Sequence, residues 1–168
     1  WNDGHNAVMR PFAAGNAAVT AASLVVAVIV APSGLASPDG GVPPVSPQAA
    51  AAGFVDVRAV IPDAIVDMRY ATPNNFTGVQ LYPPDARCLV HESMAPGLAA
   101  AAQSLRAQGD QLVFWDCYRP HQVQVRMFEA VPDPAWVARP GPYARSHEAG
   151  RSVDVTLARG GSPVDMGT

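Results

Sequence analysis

Residues 111–117 read Gln-Leu-Val-Phe-Trp-Asp-Cys, a continuous apolar run that predicts the central strand of a sheet. The chain continues directly into Tyr-Arg-Pro at residues 118–120. Because proline is favoured at the first position of a helix, the apolar residues that follow at helical spacing predict a helix that begins at Pro120 and ends near Pro132. The other predicted elements must pack around this strand and this helix.

The segments before the central strand predict two short strands and a loop. Residues 54–61 and 64–70 are rich in Val and Ile, and they flank a Pro-Asp turn at residues 62–63. Residues 72–85 contain Pro, Asn and Gly at several positions and predict a long loop. Loops of this length often serve a function, so this segment is a candidate for closing a binding cleft.

Two more elements complete the predicted fold. Ser93 can cap a helix over residues 94–108, with Gly109 as its stop. After a Pro-, Gly- and Arg-rich loop over residues 132–146, the alternation in residues 152–158 predicts a strand. Its apolar side chains, Val153, Val155 and Leu157, share one face, and Asp154 and Thr156 share the other. Strands and helices do not alternate regularly, which predicts an α+β fold: a small mixed sheet flanked by helices in a single domain.

The hydrophobic residues are concentrated near the amino terminus. Residues 9–36 begin with Met-Arg, continue with an apolar run and end in small residues, the three parts of a signal peptide, with cleavage expected after Ala36. An uncleaved N-terminal anchor is the alternative, and both predict an exported protein in the periplasm, the cell envelope or the medium. Residues 1–8 precede the first methionine and are interpreted as upstream residues without a role. Residues 37–53 predict a Pro/Ala/Gly linker, and residues 54–168 the folded domain.

The composition excludes one class of partner. Eleven basic residues, all of them arginine, stand against fourteen acidic residues, which gives a formal charge of −3 without any run of like charges. Binding to a phosphate backbone needs a basic patch, so we expect no nucleic acid partner. Hydrophobic residues make up 49% of the chain, which argues against a disordered protein.

The two cysteines, Cys88 and Cys117, leave two alternatives open. Disulfides persist in exported proteins, so these residues can form an intramolecular bridge. Isolated cysteines are also often small buried residues. Their spacing matches no metal-binding motif.

Residues 146–154 read Ser-His-Glu-Ala-Gly-Arg-Ser-Val-Asp and contain two candidate functional residues, His147 and Asp154. Gly150 can turn the backbone between His147 and Asp154, so that an imidazole nitrogen and a carboxylate oxygen point to one place. These two groups are part of a suitable ligand set for Zn²⁺. A surface pair or a helix cap would also account for the pattern. The pattern by itself therefore does not decide between a metal site and these two alternatives.

The spacing His-x-x-Gly-x-x-x-Asp from His147 to Asp154 resembles the signature of the zinc D-alanyl-D-alanine dipeptidases (VanX-like). The resemblance covers residues 54–168, with further similar segments in the expected order: Asp-Met-Arg-Tyr-Ala-Thr-Pro-Asn-Asn-Phe-Thr-Gly at 67–78, Ala-Arg-Cys-Leu at 86–89, Asp-Cys-Tyr-Arg-Pro at 116–120, Val-Thr-Leu at 155–157 and Asp-Met-Gly-Thr at 165–168. The stretch Arg-Tyr-Ala-Thr-x-x-Asn-Phe-Thr-Gly distinguishes dipeptidases from related carboxypeptidases and endopeptidases.

The resemblance implies a single zinc ion held by two histidines and one aspartate. It implies that His147 and Asp154 are zinc ligands, and that Arg119 stabilises the tetrahedral intermediate when a zinc-activated water attacks the peptide bond of D-Ala-D-Ala. The implied partner is a small D-amino-acid dipeptide from cell-wall turnover, with no membrane contact beyond a possible anchor. From its position alone, Arg119 could equally be a structural residue at a helix start. A D,D-carboxypeptidase acting on peptidoglycan stem peptides, and a non-catalytic envelope protein with a degenerate zinc site, are the alternative functions.

The sequence departs from the family pattern at one point. The resemblance implies that the base glutamate and the second zinc-binding histidine lie on a Glu-x-x-His-type segment after the Asp-Met-Gly motif, and the sequence given ends within that motif. His5, His91 and His121 are interpreted as surface or helix-end residues, and Glu148 occupies a variable position of the signature. We therefore expect a fragment of a longer reading frame, with natural truncation as the alternative, and we expect the chain as given to be inactive.

Overall fold

The computed structural model describes residues 42, 44–143 and 145–167. The predicted signal peptide or anchor over residues 9–36, and the upstream residues 1–8, lie outside the described residues. Among the described residues, no helix is long and apolar enough to cross a membrane. All of the described residues belong to one compact unit, as the single-domain prediction requires.

Strands and helices follow one another irregularly, which confirms the predicted α+β class. The helices are α1 (Pro47–Ala51), α2 (Val57–Val60), α3 (Ala95–Arg106) and α4 (His121–Ala130), with 3-10 helices at Arg69–Ala71 and Glu92–Met94. The strands are β1 (Phe54–Asp56), β2 (Ile65–Val66), β3 (Leu89–His91), β4 (Asp110–Asp116), β5 (Asp154–Arg159) and β6 (Ser162–Pro163). β1 and β3 form an antiparallel pair. The other four strands form a mixed sheet in the order β2-β4-β5-β6, in which only β2 and β4 are parallel.

β4 is central, as its apolar sequence predicts. Phe114 of this strand is fully buried, and the helix α3 packs against the strand. The antiparallel register with β5 places Asp110 opposite Arg159 at one end and Asp116 opposite Asp154 at the other, with an irregularity after Phe114. Two carboxylates therefore meet where β4 ends and β5 begins.

Both strands predicted before residue 72 are shorter than expected. The segment 54–61 forms β1 and then turns into α2, because the Asp56 carboxylate accepts a hydrogen bond from the Arg58 amide and caps the helix. Of the segment 64–70, only β2 is a strand, and a 3-10 helix follows it. Part of the predicted linker is also helical, since Ser46 caps the short helix α1.

The predicted helices are present, but the predicted cap of the first one is wrong. Ser93 lies inside a 3-10 helix and does not cap α3. Its amide donates a hydrogen bond to Nδ1 of His91. Gly109 adopts a φ of 81°, which explains why the chain reverses there before β4. The helix α4 begins one residue after Pro120.

The predicted strand over residues 152–158 is observed as β5, two residues later at its start. Successive side chains of β5 point to opposite faces of the sheet, as expected. However, the face with the polar Thr156 is the buried one: Thr156 is 6% exposed, whereas Val155 on the other face is 39% exposed. The loop predicted at residues 72–85 is confirmed and continues to the start of β3.

Cys88 and Cys117 form a disulfide with their Cα atoms 5.2 Å apart, which decides between the two alternatives left by the sequence. Both residues are buried. Cys88 directly precedes β3 and Cys117 directly follows β4, so the bridge joins the two sheets next to the meeting point of the two carboxylates.

Candidate metal centre and active-site cleft

A cleft of about 200 Å³ lies where β4 ends and β5 begins. Its walls come from the segment after β4, from α4, from the first residue of β5 and from the two long loops. The residues that line it include Tyr70, Phe76, Arg119, Gln124, Trp136, Arg139, Arg145, His147, Glu148 and Asp154. The structure therefore brings together all three residues for which the sequence predicted a chemical role.

His147 is held with one ring nitrogen facing the protein and the other facing Asp154. Its Nδ1 lies 2.9 Å from the backbone carbonyl oxygen of Cys117. Because a carbonyl oxygen can only accept, Nδ1 must carry the hydrogen, and this leaves Nε2 as the free donor atom for a metal. Nε2 lies 3.3 Å from Oδ1 of Asp154.

Gly150 allows the tight turn that brings His147 and Asp154 together. It has a φ of 63°, and a Cβ at this position would lie 2.4 Å from Cε1 of Phe54. The Gly150 carbonyl accepts a hydrogen bond from the His91 amide, which fixes the turn against β3. A side chain at residue 150 would therefore displace the segment that carries His147.

The charges of His147 and Asp154 depend on one another. Burial disfavours the charged imidazolium of His147, but the Asp154 carboxylate and the Cys117 carbonyl outweigh burial, so the pKa of His147 lies above its ordinary value. Burial also opposes the charge of Asp154, whereas His147 and Arg119 favour it, so the pKa of Asp154 lies below its ordinary value. Asp154 is therefore the anionic partner of the pair.

Asp116 is a site residue that the sequence analysis missed. Among the described residues, its carboxylate, His147 and Asp154 offer potential ligand atoms that lie within 4.8 Å of one another. The side chain is fully buried, and its two oxygens already accept four hydrogen bonds, from Tyr82 Oη, Cys117 N, Arg119 Nε and Arg119 Nη2. We therefore assign Asp116 to the anchoring of Arg119 and not to the metal.

The signal for Asp116 was visible in the sequence, because a carboxylate ended an otherwise apolar strand three residues before Arg119. Burial and Asp116 also raise the pKa of Tyr82 above its ordinary value, so the Tyr82 hydroxyl stays protonated and donates to the carboxylate. A buried charge with this many donors is stable only as part of such a network.

Arg119 lies in the cleft beside the predicted metal ligands. It is 7% exposed, and it forms two bonds of 2.9 and 2.6 Å to Oδ2 of Asp116. Its Nη2 lies 3.5 Å from Oδ2 of Asp154, and its guanidinium carbon lies 5.6 Å from the ring centre of Tyr70. Burial raises the pKa of that tyrosine to about 12, so Tyr70 is neutral at physiological pH. The guanidinium is thus a buried positive charge beside Asp154 in the cleft.

The other polar candidates are engaged elsewhere. Glu148 lines the cleft, but its carboxylate lies 2.6 Å from Nδ1 of His121 and accepts a bond from the Arg145 amide. His91 Nδ1 contacts the Ser93 hydroxyl, and its Nε2 lies 3.3 Å from the Arg151 guanidinium. Neither His91 nor His121 belongs to the metal-ligand group found among the described residues.

Two aromatic side chains stand at the mouth of the cleft. Phe76, from the loop after residue 72, and Trp136, from the loop after α4, have ring centres 6.1 Å apart, and Phe76 also packs edge-on against Tyr70. Trp136 is 71% exposed. The sequence predicts the first loop as a cover for the cleft. It does not single out Trp136, because an isolated aromatic residue in a Pro-rich loop has no distinguishing pattern.

The α+β domain places a His/Asp pair beside a buried arginine, an arrangement of candidate metal ligands with a neighbouring cation. The chain belongs to the D-Ala-D-Ala dipeptidase family (peptidase M15), whose family model matches residues 50–168. The resemblance predicted from the motifs is confirmed. Among curated proteins, the chain is 36% identical over 115 residues to the D-alanyl-D-alanine dipeptidase of Escherichia coli (strain K12). The alignment covers 68% of this chain and 58% of that relative, so the chain spans somewhat more than half of its length.

Proposed function

We propose that this protein is a zinc metallopeptidase that hydrolyses the D-alanyl-D-alanine dipeptide. The observation that supports this most directly is the convergence of His147 Nε2 and Asp154 Oδ1, 3.3 Å apart, with the other ring nitrogen of His147 fixed by a backbone carbonyl. Family membership and the dipeptidase relative favour this function over a carboxypeptidase or a non-catalytic binding protein.

The donor set suits zinc. One imidazole nitrogen and one carboxylate oxygen are typical of catalytic zinc sites, and the hydrogen bond from Nδ1 to the Cys117 carbonyl is the outer contact that such histidines usually make. Zinc in such a site lowers the pKa of a bound water and polarises the scissile carbonyl. His147 and Asp154 would hold the ion, whereas Asp116 would not, because its oxygens are occupied by Arg119, Tyr82 and the Cys117 amide.

Arg119 has the properties needed to stabilise a developing oxyanion. It is buried and permanently charged, and bonds to both Asp116 and Gln124 hold it, so little reorganisation is needed during the reaction. Its Nη2 faces the space beside Asp154. We do not assign the general base to Glu148, because its carboxylate is bonded to His121 and to the Arg145 amide.

The cleft fits a small, charged substrate. Its volume of about 200 Å³ suits a dipeptide, and Phe76 and Trp136 narrow its mouth. Arg139 and Arg145 also line the cleft, and they provide positive charge for the free carboxylate that distinguishes a dipeptide from an internal peptide bond.

The same proposal includes export from the cytoplasm. It is supported by the signal-like residues 9–36 and by the buried disulfide between Cys88 and Cys117, since such bonds persist mainly in oxidising compartments. A role in cell-wall peptide turnover follows from the substrate.

The experiment uses protein expressed from its complete coding sequence and loaded with zinc. We expect release of D-Ala from the free D-Ala-D-Ala dipeptide and little release from a pentapeptide stem. Arg119→Lys keeps the positive charge beside Asp116 but loses the planar donors, so we expect bound zinc to be retained and kcat to fall about 10²- to 10³-fold. Release of D-Ala from the pentapeptide with the free dipeptide left intact would overturn the dipeptidase assignment.

A further inference from the structure

Gln124 is a buried side chain of α4 with both ends of its amide engaged in the cleft. It is 6% exposed. Its Oε1 accepts a hydrogen bond of 2.7 Å from Nη1 of Arg119, and its Nε2 donates one of 2.5 Å to the backbone carbonyl of Ala138. A single amide therefore links the arginine to the loop that forms one wall of the cleft.

Arg119 needs this contact because its bonds to Asp116 do not fix its plane. Nε and Nη2 both donate to the same oxygen, Oδ2 of Asp116, so these two bonds meet at one point. A guanidinium held at one point can tilt about it. Nη2 also makes a longer contact of 3.5 Å with Oδ2 of Asp154. The bond of 2.7 Å from Nη1 to Gln124 holds the other side of the guanidinium and thereby sets its angle.

The other end of Gln124 holds residues 136–139, which contain three of the residues that line the cleft: Trp136, Ala138 and Arg139. These residues lie in a loop without helix or strand between α4 and β5. Besides the Gln124 bond, the loop is held by turn bonds to Asp133 and by the buried side chain of Val137. Its side chains also contact two rings, Trp136 against Phe76 and Arg139 over Phe128. None of these contacts involves the Ala138 carbonyl, so loss of the amide donor would loosen the wall at Ala138.

We propose that Gln124 is a positioning residue that couples the orientation of Arg119 to the cleft wall formed by residues 136–139. Its kinetic consequence rests on the proposed peptidase function, whereas its effect on the loop does not. Gln124 itself touches no reacting atom; it acts through Arg119 at one end and through Ala138 at the other.

Two substitutions separate the two ends of the amide. Gln124→Glu keeps an acceptor for Arg119 but places a carboxylate oxygen against the Ala138 carbonyl, so only the loop contact is lost. Gln124→Met has a similar length and loses both contacts. Gln122 is an exposed glutamine on the same helix, so Gln122→Glu and Gln122→Met are matched controls.

The first measurement is amide hydrogen exchange in zinc-free protein. We expect faster exchange in residues 136–139 in both Gln124 variants and unchanged exchange in both Gln122 variants. The second is steady-state hydrolysis of D-Ala-D-Ala. Gln124→Met should lower kcat about 10- to 100-fold, since a misplaced guanidinium loses its alignment with the reacting carbonyl. Gln124→Glu should leave kcat within about 3-fold and raise KM, because mainly the wall is disturbed.

The outcomes distinguish this proposal from the proposed function. Unchanged exchange in both Gln124 variants, or unchanged kcat in Gln124→Met, would overturn the coupling. If the unsubstituted protein shows no hydrolysis, the peptidase function is wrong, and hydrogen exchange still decides whether Gln124 holds the loop. If Gln124→Met does not fold, Gln124→Glu still tests the proposal. This variant is expected to lose the contact with Ala138, which speeds exchange in residues 136–139, and to keep the contact with Arg119, which preserves kcat.

Discussion

The Nδ1 atom of His147 donates to the backbone carbonyl of Cys117, a residue that is itself disulfide-bonded to Cys88. The same residue offers its amide to Asp116, the carboxylate that anchors Arg119. One residue at the end of β4 thus orients the predicted metal ligand through its carbonyl and the arginine anchor through its amide. The covalent bridge fixes the backbone at the point where these two functions meet.

Substitution of His147 tests the ligand assignment most directly. In protein expressed from the complete coding sequence, we expect His147→Ala to lose stoichiometric zinc, because the substitution removes the imidazole that lies against Asp154 and leaves an incomplete ligand set. His121→Ala is the matched control: its ring contacts Glu148 at the cleft and belongs to no metal-ligand group among the described residues, so bound zinc should be unchanged. Metal analysis by mass spectrometry checks both variants. Stoichiometric zinc in His147→Ala would contradict the assignment.

Much of the fold could be predicted because its signals are local. The apolar run of β4, the glycine stop at Gly109 and the proline at the start of α4 each determine a backbone conformation within a few residues. The prediction was wrong for residues 57–60, where the Asp56 cap outweighed the strand preference of Val57 and Val60. Short strands are poorly marked, because two or three residues give no periodicity.

The site could be predicted only in part, for a different reason. His147 and Asp154 are close in sequence and share a recognisable spacing. By contrast, Asp116, Gln124 and Trp136 acquire their roles from contacts with distant segments, such as the bond from Tyr82 to Asp116 across 34 residues. A buried polar residue is recognised by its partners, and its partners are set by the tertiary structure.

Removal of the disulfide should weaken both stability and zinc binding. Cys88 and Cys117 are 29 residues apart, and loss of a loop closure of this size costs about 3–4 kcal/mol of unfolding free energy. We expect the double variant Cys88→Ala/Cys117→Ala to show this loss in urea-induced unfolding of the zinc-free protein. Because the Cys117 carbonyl would then be less firmly placed, we also expect up to about 10-fold weaker zinc binding.

The zinc measurement on the disulfide variant must be made well below its unfolding temperature, so that a lower affinity does not simply report unfolded protein. Unsubstituted protein in the same buffer is the reference. An unchanged dissociation constant for zinc, together with the expected loss of stability, would show that the bridge stabilises the fold without orienting His147.

Trp136 should limit the length of the substrate. Its ring lies beside that of Phe76 at the cleft mouth, so Trp136→Ala would widen the opening without touching the metal ligands. We expect a higher KM for D-Ala-D-Ala, unchanged zinc content and a gain in the hydrolysis of longer peptides that end in D-Ala-D-Ala. Tyr143→Ala is the matched control, because Tyr143 is an exposed aromatic residue of the same loop that does not line this cleft. Equal selectivity in both variants would remove Trp136 from the specificity determinants.

The pair formed by Asp110 and Arg159 should stabilise the strand register in a pH-dependent way. These residues face each other at the end of the β4–β5 ladder opposite to the site, joined by two bonds of 2.7 Å. The Arg159 hydrogen bonds hold the pKa of Asp110 below its ordinary value of 3.8. The pair therefore contributes its stability above about pH 3.8 and loses it as the pH falls through the lower pKa of the folded state.

We expect Arg159→Gln to lower Tm slightly at pH 7, since Arg159 is largely exposed and such pairs are weak, and we expect the difference from the unsubstituted protein to shrink as the pH falls below 3.8. Arg126→Gln is the control, because the Arg126 guanidinium donates to the Gln80 carbonyl, which does not titrate. Thermal unfolding followed by circular dichroism between pH 7 and pH 2.5 measures both variants. A Tm difference for Arg159→Gln that persists unchanged at the lowest pH would show that the ion pair with Asp110 is not its source.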